Sequence, residues 1–560
     1  MHREHPLSTT ASVRSKHNAK GQGQWALGHT EPLNPNEQSK KDDNPLNVRA
    51  RIENIYAHRG FASIDPSDLR GRFRWWGLYT QRKPGFDGTF TGVMEPEELE
   101  DEYFMLRARI DGGQLSVAQL RAVASISTDF GRDTADVTDR QNVQYHWIRV
   151  EDVPEIWRRL EEVGLSTQEA CGDCPRVVLG SPVAGVSGDE VIDATPAIDE
   201  ITARYVGDKS LSNLPRKFKT AISWLPDIPY ETNDISFLGA VHPVHGPGFD
   251  LWVGGGLSTN PMLAQRLGVW VSLEDVPAVW LGVTEIFRDY GYRRLRNRAR
   301  LKFLVADWGV ARFREVLETE YLKRKLDDLD PPVTPPALLD HIGVHRQTDG
   351  RYYIGVAPVV GRVSGTVLSQ IADIAERYGS DRVRTTPMQK LLILDIAESD
   401  VDAAVADLRE IGLYADPSPW RRSTMACTGI EFCKLALVDT KERAATTILQ
   451  LERRMPDVDT PLSIHVNGCP NACARTQTAD FGLKGQLVMH EGKRVEGFQV
   501  HLGGGHARHA GFGRKLRGHK VAAEELPDFI ERVTGHYLDQ REDGEAFADW
   551  VTRAEEKDLQ

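Results

Sequence analysis

Several protein classes are excluded by what the 560-residue sequence lacks. It contains no run of about 18 apolar residues, and its densest apolar stretches, 353–360 and 391–397, are only long enough for strands. The start is basic, but no apolar stretch follows it, so no secretory signal is predicted. With 40% apolar and 27% charged residues, the composition is that of a folded protein. We therefore expect a cytoplasmic protein that does not span a membrane.

Positive charge is also in deficit. There are 69 Lys and Arg against 81 Asp and Glu, which gives a formal net charge of −12 and argues against general nucleic-acid binding. Basic residues nevertheless concentrate in two segments, 293–302 and 508–520. Each segment is either a solvated face or a surface that docks or clamps an anionic ligand, and the sequence leaves both interpretations open.

Cysteine is scarce, and its spacing is informative. The six cysteines fall at 171, 174, 427, 433, 469 and 473, a pattern more typical of a metal or redox protein than of a disulfide framework. Four of them form C-x5-C and C-x3-C pairs. Four soft thiolates in two short loops suit a cubane iron-sulfur cluster, whereas a structural zinc site and unligated thiols are the alternatives.

The chain also repeats itself on either side of a proline-rich break at 327–336. The segments 106–165 and 355–413 show the same strand-helix-strand-helix order, and an offset of 248 aligns Gly131 with Gly379 and Gln141 with Gln389. This register predicts an internally duplicated α/β protein with a pseudo-two-fold axis and a site between its halves.

A set of cationic side chains lies on predicted strands and their adjoining loops. Strand periodicity places Lys217 and Lys219 on one face, where both ammonium groups can point at one anion. The other members of the set are Arg107, Arg140, Arg176 and Arg216.

The segments TDRQNVQYHW, LPRKFK, LWVGGGLS, NGCPNAC and HLGGG, with the C-x5-C pair, together resemble the sirohaem-dependent sulfite and nitrite reductases from about residue 60 to the C-terminus. The resemblance implies an α/β (α+β) fold with ferredoxin-like half-domains. The expected division is a flexible tail over 1–55, half-repeats over 56–168 and 331–416, and sirohaem-binding domains over 169–330 and 417–560, the last carrying the cluster.

Site roles follow from the same resemblance. It implies that four cysteines bind a [4Fe-4S] cluster and that Cys473 is also the axial ligand of the sirohaem iron. The expected cluster ligands are Cys427, Cys433, Cys469 and Cys473. The basic residues expected over the substrate face, with catalytic roles, are Arg107, Arg176, Lys217 and Lys219. The residues expected to bind the macrocycle or flank the axial loop are Arg140, Gln144, His146, Arg216, Asn467 and Asn471.

The implied activity is the six-electron reduction of sulfite to sulfide, with nitrite to ammonium as the alternative and a zinc-organised binding module as an alternative of another class. No strand-to-helix GxGxxG fingerprint occurs, because the glycine triplets 254–256 and 503–505 do not match it. Electrons are therefore expected from ferredoxin, an acidic partner that either basic segment could attract. We expect a monomer, since no heptad or apolar stripe demands a partner.

Cys171 and Cys174 are a departure from the family pattern. They form a CxxC pair just before Arg176, where many members of the family have none. Three interpretations remain open: two buried thiols, a redox-active pair, or oxidative coupling of one thiol to the ring of Tyr79, which is expected on the same side of the site.

Overall fold

The structure is a computed structural model that describes residues 33–560. Four five-stranded sheets carry the fold, and helices cover them. No helix within 33–560 is both long enough and apolar enough to cross a membrane. The helices of seven or more residues in this range are α1 Pro35–Asp42, α2 Val117–Phe130, α3 Val153–Glu162, α4 Thr195–Tyr205, α5 Val276–Tyr290, α6 Leu301–Val316, α7 Gly365–Arg377, α8 Val401–Glu410, α9 Lys441–Arg454, α10 Leu526–Gln540 and α11 Phe547–Arg553.

Two of the sheets belong to the ferredoxin-like halves. The first has the order β1-β2-β5-β4-β13 and the second β11-β12-β15-β14-β3. The strands of the first sheet are β1 Leu78–Arg82, β2 Glu100–Ala108, β4 Ala135–Val137, β5 Val143–Ile148 and β13 Arg362–Val363. The strands of the second are β3 Gln114–Ser116, β11 Gly343–Arg346, β12 Tyr352–Val356, β14 Arg382–Thr385 and β15 Leu391–Ile396.

Each ferredoxin-like sheet is completed by a strand from the other half. β13 pairs with β4 and β3 pairs with β14, both antiparallel. The exchanged strands are equivalent, since Gln114 and Arg362 are 248 residues apart. Helices α2 and α7 meet at the same junction, where a Cβ on Gly365 would lie only 2.5 Å from the carbonyl oxygen of Ala124. One hydrophobic core consequently runs through both halves, from Phe104 to Ile354.

The other two sheets share one topology. The first domain sheet has the order β10-β9-β8-β7-β6, and the second domain sheet has the order β16-β17-β18-β19-β20. In each sheet, the three strands that come first along the chain run parallel to one another. The remaining neighbouring strands pair antiparallel. The strands are β6 Pro175–Gly180, β7 Phe218–Ser223, β8 Ile235–His242, β9 Gly246–Val253, β10 Gln265–Val271, β16 Thr424–Ala426, β17 Ile464–Asn467, β18 Phe481–His490, β19 Lys493–Leu502 and β20 Arg514–Ala522.

This repetition confirms the predicted fold class, a mixed α/β chain with duplicated halves. It also explains how the cysteines meet. Cys427 follows β16 and Cys469 follows β17, and neighbouring parallel strands end at the same edge of a sheet. The fold therefore brings the two cysteine loops, 427–433 and 469–473, to one place.

The N-terminal segment differs from the expected tail. From Pro35 the chain is helical, and Val48 and Ile52 are fully buried in the core of the ferredoxin-like halves. Lys40 forms a buried ion pair with Glu37 at 2.6 Å and donates to the carbonyl of Leu214 at 2.8 Å. The prediction of a flexible tail is thus wrong for the described part of 1–55, because apolar residues there pack on the body. Residues 1–32 lie outside the described residues.

Candidate active site

The two cysteine loops are hydrogen-bonded to each other. The backbone N–H of Gly468 donates to Cys427 Sγ at 3.2 Å, and the N–H of Leu437 donates to the Gly468 carbonyl at 2.8 Å. Burial, together with the neighbouring Cys473 and Cys433 thiols, raises the pKa of Cys427 to about 12. Burial and Cys473 likewise raise the pKa of Cys469. The four sulfurs are therefore close enough to repel one another as thiolates.

Such a donor set needs a bound cation to carry four thiolate charges. Within 33–560, no three His, Cys, Asp or Glu side chains converge at the spacing that a single metal ion requires. A cubane is less demanding, because each thiolate binds a different iron at a separate corner. The arrangement thus fits an iron-sulfur cluster better than a mononuclear zinc site.

Cys473 opens into a cavity of about 270 Å³ lined by cationic side chains. It is the exposed member of the four cysteines, and the residue before it, Ala472, has a left-handed backbone with φ of 54°. The predicted residues that line this cavity are Arg140, Arg216, Lys217, Lys219, Asn471 and Cys473. One side of the cysteine centre therefore faces a concentrated positive charge.

The positive charge of the cavity is only partly offset by acidic residues. Among the described residues that line it, Asp139 is the one carboxylate. Burial lowers the pKa of Lys219 to about 8, with Arg140 adding to the effect, and burial with Lys219 and Arg176 lowers that of Lys217. A bound anion would reverse both shifts, so the cavity is suited to anionic ligands.

Buried N–H groups without acceptors support the same conclusion. Nε of Arg140 and Nε and Nη1 of Arg475 are buried and have no hydrogen-bond partner within 33–560. Arg140 is otherwise fixed, because its Nη2 donates to the carbonyls of Val177 at 2.7 Å and Thr220 at 3.1 Å. A macrocycle that carries carboxylate arms would supply the missing acceptors, so these residues fit sirohaem.

Arg107 and Arg176 approach the same site from the CxxC side. Arg107 Nη2 donates to Gln144 Oε1 at 2.7 Å, and Gln144 Nε2 donates to Thr428 Oγ1 at 3.0 Å, beside Cys427. Arg176 Nε donates to the carbonyl of Ala170 at 3.0 Å. Gln144 therefore joins Arg107 to the first cysteine loop instead of lining the cavity.

His146 and Asn467 are placed behind the cysteine loops. His146 is fully buried, lies 3.0 Å from Asp136 Oδ2 through its Nε2, and stacks on Phe432 with ring centroids 3.7 Å apart. Asn467 Oδ1 accepts the N–H of Ala474 at 2.7 Å, which closes the second cysteine loop. His146 is predicted to lie near the macrocycle; its ring supports Phe432, the residue before Cys433, and it is not among the described residues that line the cavity.

Three further cations join the predicted set. Arg300, Lys302 and Arg475 line the cavity. Arg300 pairs with Asp234 at 2.8 Å, and Lys302 Nζ donates to the carbonyls of Gly256 and Leu257 at 3.0 and 2.9 Å, which holds the glycine turn. In the sequence, Arg300 and Lys302 were indicated only by the basic run at 293–302. Arg475 was indicated only by its position directly after the second cysteine loop.

The 293–302 segment is not a solvated docking patch. Arg293 pairs with Glu37 at 3.0 Å and Arg296 with Asp173 at 2.6 Å, so most of its charge is committed inside the protein. The 508–520 segment is different. Lys515, Arg517 and Lys520 are exposed on β20, the edge strand of the second domain sheet.

Both cysteines of the CxxC pair are buried, and no disulfide joins them. Cys171 Sγ accepts a hydrogen bond from Arg107 Nη1 at 3.5 Å, and Tyr79 is close enough to contribute to the lowered pKa of this thiol. Burial opposes ionisation of Cys171, but Arg107 and Arg176 outweigh it and lower its pKa. Cys174 Sγ instead donates to the Cys171 carbonyl at 2.9 Å, and burial raises its pKa. The two thiols have opposite character, and the reactive one faces Tyr79.

Duplicated sheets, converging cysteines and a cationic cavity define a redox enzyme for anionic substrates. The chain belongs to the nitrite and sulfite reductase family. The family model described as "Nitrite and sulphite reductase 4Fe-4S domain" matches 171–326 and 419–557, and that of the "Nitrite/Sulfite reductase ferredoxin-like half domain" matches 97–163 and 345–411. The family's cofactors are a [4Fe-4S] cluster and sirohaem.

Individual relatives cover nearly the full chain. A protein of Mycobacterium tuberculosis (strain H37Rv) named sulfite reductase (ferredoxin) is 61% identical over 546 residues, which is 97% of this chain and 98% of the relative. An assimilatory ferredoxin-dependent nitrite reductase of Haloferax mediterranei is 36% identical over 92% of this chain and 91% of its own. The solved structure of Mycobacterium tuberculosis NirA superposes with a TM-score of 0.94 at 62% identity, covering 96% of this chain and all of that one.

Proposed function

We propose that the protein reduces sulfite to sulfide with electrons from reduced ferredoxin. The observation that carries the proposal is the single cavity in which Cys473 faces Lys217, Lys219 and Arg140. The choice of substrate is supported by the 61% identity to a sulfite reductase, against 36% to a nitrite reductase. The proposal includes a monomeric, cytoplasmic enzyme, which light scattering and cell fractionation test.

The cysteines and the cavity residues divide the work of holding the cofactors. Cys427, Cys433, Cys469 and Cys473 would bind the [4Fe-4S] cluster, and Cys473 would also bind the sirohaem iron. Arg140, Arg216 and Asn471, joined by Arg300 and Arg475, would hold the macrocycle's carboxylates. When bound, the two cofactors would supply the electrons for the reduction one at a time.

The remaining cations act on the substrate. Arg107 and Arg176 bind sulfite oxygens and orient the anion, since guanidinium groups keep their charge at any physiological pH. Lys217 and Lys219 donate protons from Nζ, and their lowered pKa makes that proton easier to release. Each oxygen then leaves as water, and the lysines regain their protons from solvent.

Product analysis tests the proposal directly. The purified holoenzyme, given sulfite and reduced ferredoxin without oxygen, is expected to release sulfide, with iron and sirohaem measured on the same sample. Absence of sulfide from a fully loaded enzyme would overturn the proposal. Ammonium from nitrite at a higher kcat/KM would favour the alternative activity and leave the cofactor assignments intact.

A further inference from the structure

Arg82, at the end of β1, is one of the most deeply buried charged residues. Its side chain is 1% exposed. Within 33–560, no carboxylate oxygen lies within 4.0 Å of its guanidinium. A buried cation without an ion pair destabilises the folded protein. Another source of negative charge is therefore needed to stabilise Arg82 in this position.

The guanidinium donates only to oxygens of uncharged groups. Nε donates to the carbonyl of Phe86 at 3.0 Å, and Nη2 donates to that of Asp87 at 2.7 Å. Nη1 donates to Thr91 Oγ1 at 2.9 Å and makes longer contacts with the carbonyls of Lys434 and Ala436, at 3.4 and 3.5 Å. The planar fork thus connects the 86–91 segment to the backbone directly after Cys433.

Backbone and side-chain contacts reinforce this connection. The N–H of Arg82 donates to the Phe432 carbonyl at 2.8 Å, and Thr91 Oγ1 donates to the Ala436 carbonyl at 2.8 Å. A Cβ on Gly88 would lie 1.9 Å from the Leu437 carbonyl oxygen, so the 86–91 segment lies directly on the loop. The residues on both sides of Cys433 are therefore fixed through Arg82 and its neighbours.

The missing negative charge is close by. Burial lowers the pKa of Arg82, and the groups that oppose this effect are Cys433 first, then Asp87 and Glu496. A cluster bound by four thiolates is anionic and gains one more negative charge on reduction. A buried cation beside it stabilises the reduced form more than the oxidised form.

We propose that Arg82 is a positioning residue of the iron-sulfur cluster: its fork fixes the loop that carries Cys433, and its buried charge raises the cluster's reduction potential. The inference rests on the family's cluster and not on the choice between sulfite and nitrite. Arg82 touches neither substrate nor the cavity that Cys473 faces.

The test is a redox titration of the holoenzyme, followed by electron paramagnetic resonance of the reduced cluster. We expect Arg82→Gln to shift the midpoint potential to a more negative value and Arg82→Lys, which keeps the charge, to retain the wild-type midpoint. Arg384→Gln is the matched control, because Arg384 is also buried, has no carboxylate oxygen within 4.0 Å among the described residues and donates to a backbone carbonyl, that of Val383 at 3.3 Å, but lies on β14. An unchanged midpoint in a fully loaded Arg82→Gln enzyme would overturn the charge role.

A second measurement tests the fork. Loss of cluster iron to a chelator is expected to be faster in Arg82→Lys than in wild type, since an ammonium cannot reproduce the planar set of donors. Iron loss at the wild-type rate would overturn that part. Should Arg82→Gln purify without iron, the midpoint potential of Arg82→Lys decides the charge role: the wild-type midpoint supports it, and a midpoint that is clearly more negative contradicts it.

Discussion

Gln141 and Gln389, 248 residues apart, make the same pair of hydrogen bonds in the two halves. Gln141 binds the backbone of Gly180, with Nε2 donating to its carbonyl at 3.0 Å and Oε1 accepting its N–H at 3.1 Å. Gln389 does the same with Ala426, at 2.9 and 3.1 Å. Each glutamine thus fixes the end of an equivalent strand, β6 or β16, and only β16 leads into a cysteine.

This equivalence predicts different outcomes for the same substitution. Gln389→Leu and Gln141→Leu should each lower the free energy of unfolding by about 1–3 kcal/mol, because buried backbone groups lose their partners. Only Gln389→Leu should also lower the iron content, since Ala426 precedes Cys427. Calorimetry and iron analysis of both variants measure this difference, and equal iron loss in the two would contradict it.

The two cavity lysines should be separable from the cofactor site. Lys217→Met and Lys219→Met are each expected to lower kcat by about 10²- to 10⁴-fold, the usual contribution of a positioned proton donor, while iron and sirohaem contents stay at the wild-type level. Lys209→Met, at an exposed position, is the control. Wild-type turnover in both cavity variants would exclude them as proton donors.

The basic face of β20 should affect the donor protein and not the chemistry. Lys515→Glu with Arg517→Glu is expected to raise the KM for reduced ferredoxin, more so at low salt, and to leave turnover with a small dye donor unchanged. Lys209→Glu with Lys323→Glu changes the net charge by the same amount at exposed sites elsewhere. Loss of activity with both donors would reject β20 as the docking face.

Glu169 provides a pH test of stability. Burial raises its pKa to about 7, although it accepts hydrogen bonds from Ser212 at 2.7 Å and Gly207 at 2.9 Å. The folded state therefore holds the proton more tightly than the unfolded state. The resulting stability is fully present below pH 4.5 and is lost as the pH rises through about 7.

Glu169→Gln, which imitates the protonated acid, removes this dependence. Between pH 5 and pH 8 the free energy of unfolding of wild type should fall by roughly 1–3 kcal/mol relative to that of the variant. The thermal midpoint of wild type should fall with it. Scanning calorimetry of both proteins across that range measures the gap. A gap that does not change with pH would show that Glu169 is ionised throughout.

We predict oxidative coupling of Tyr79 and Cys171, in which a carbon-sulfur bond replaces one ring C–H and the S–H and dioxygen takes up the two electrons and two protons. The denatured, reduced chain would then be lighter by two hydrogen atoms, and the difference would vanish in Cys171→Ser. Intact-mass spectrometry of protein purified in air measures it. A theoretical mass for the wild-type chain would leave Cys171 as a free thiol that Arg107 and Arg176 activate.

The sequence predicted the parts of the site that lie within single elements. The two cysteine loops could be predicted from the cysteine spacing, and the shared face of Lys217 and Lys219 from strand periodicity. Both features depend only on residues that are close together in the sequence. Arg475 and Lys302 were missed, since periodicity does not reveal which loops converge. The exchange of β3 and β13 was missed for the same reason. No local pattern indicates that the His146 ring packs behind a cysteine loop.

The central claim is tested most directly by anaerobic turnover with reduced ferredoxin, in which sulfite and nitrite are compared at matched concentrations on one preparation of known iron and sirohaem content. We predict a higher kcat/KM for sulfite, with six electrons consumed for each sulfide released. A higher kcat/KM for nitrite would contradict the proposed substrate, and a colourless protein without iron would contradict the account of the site as a whole.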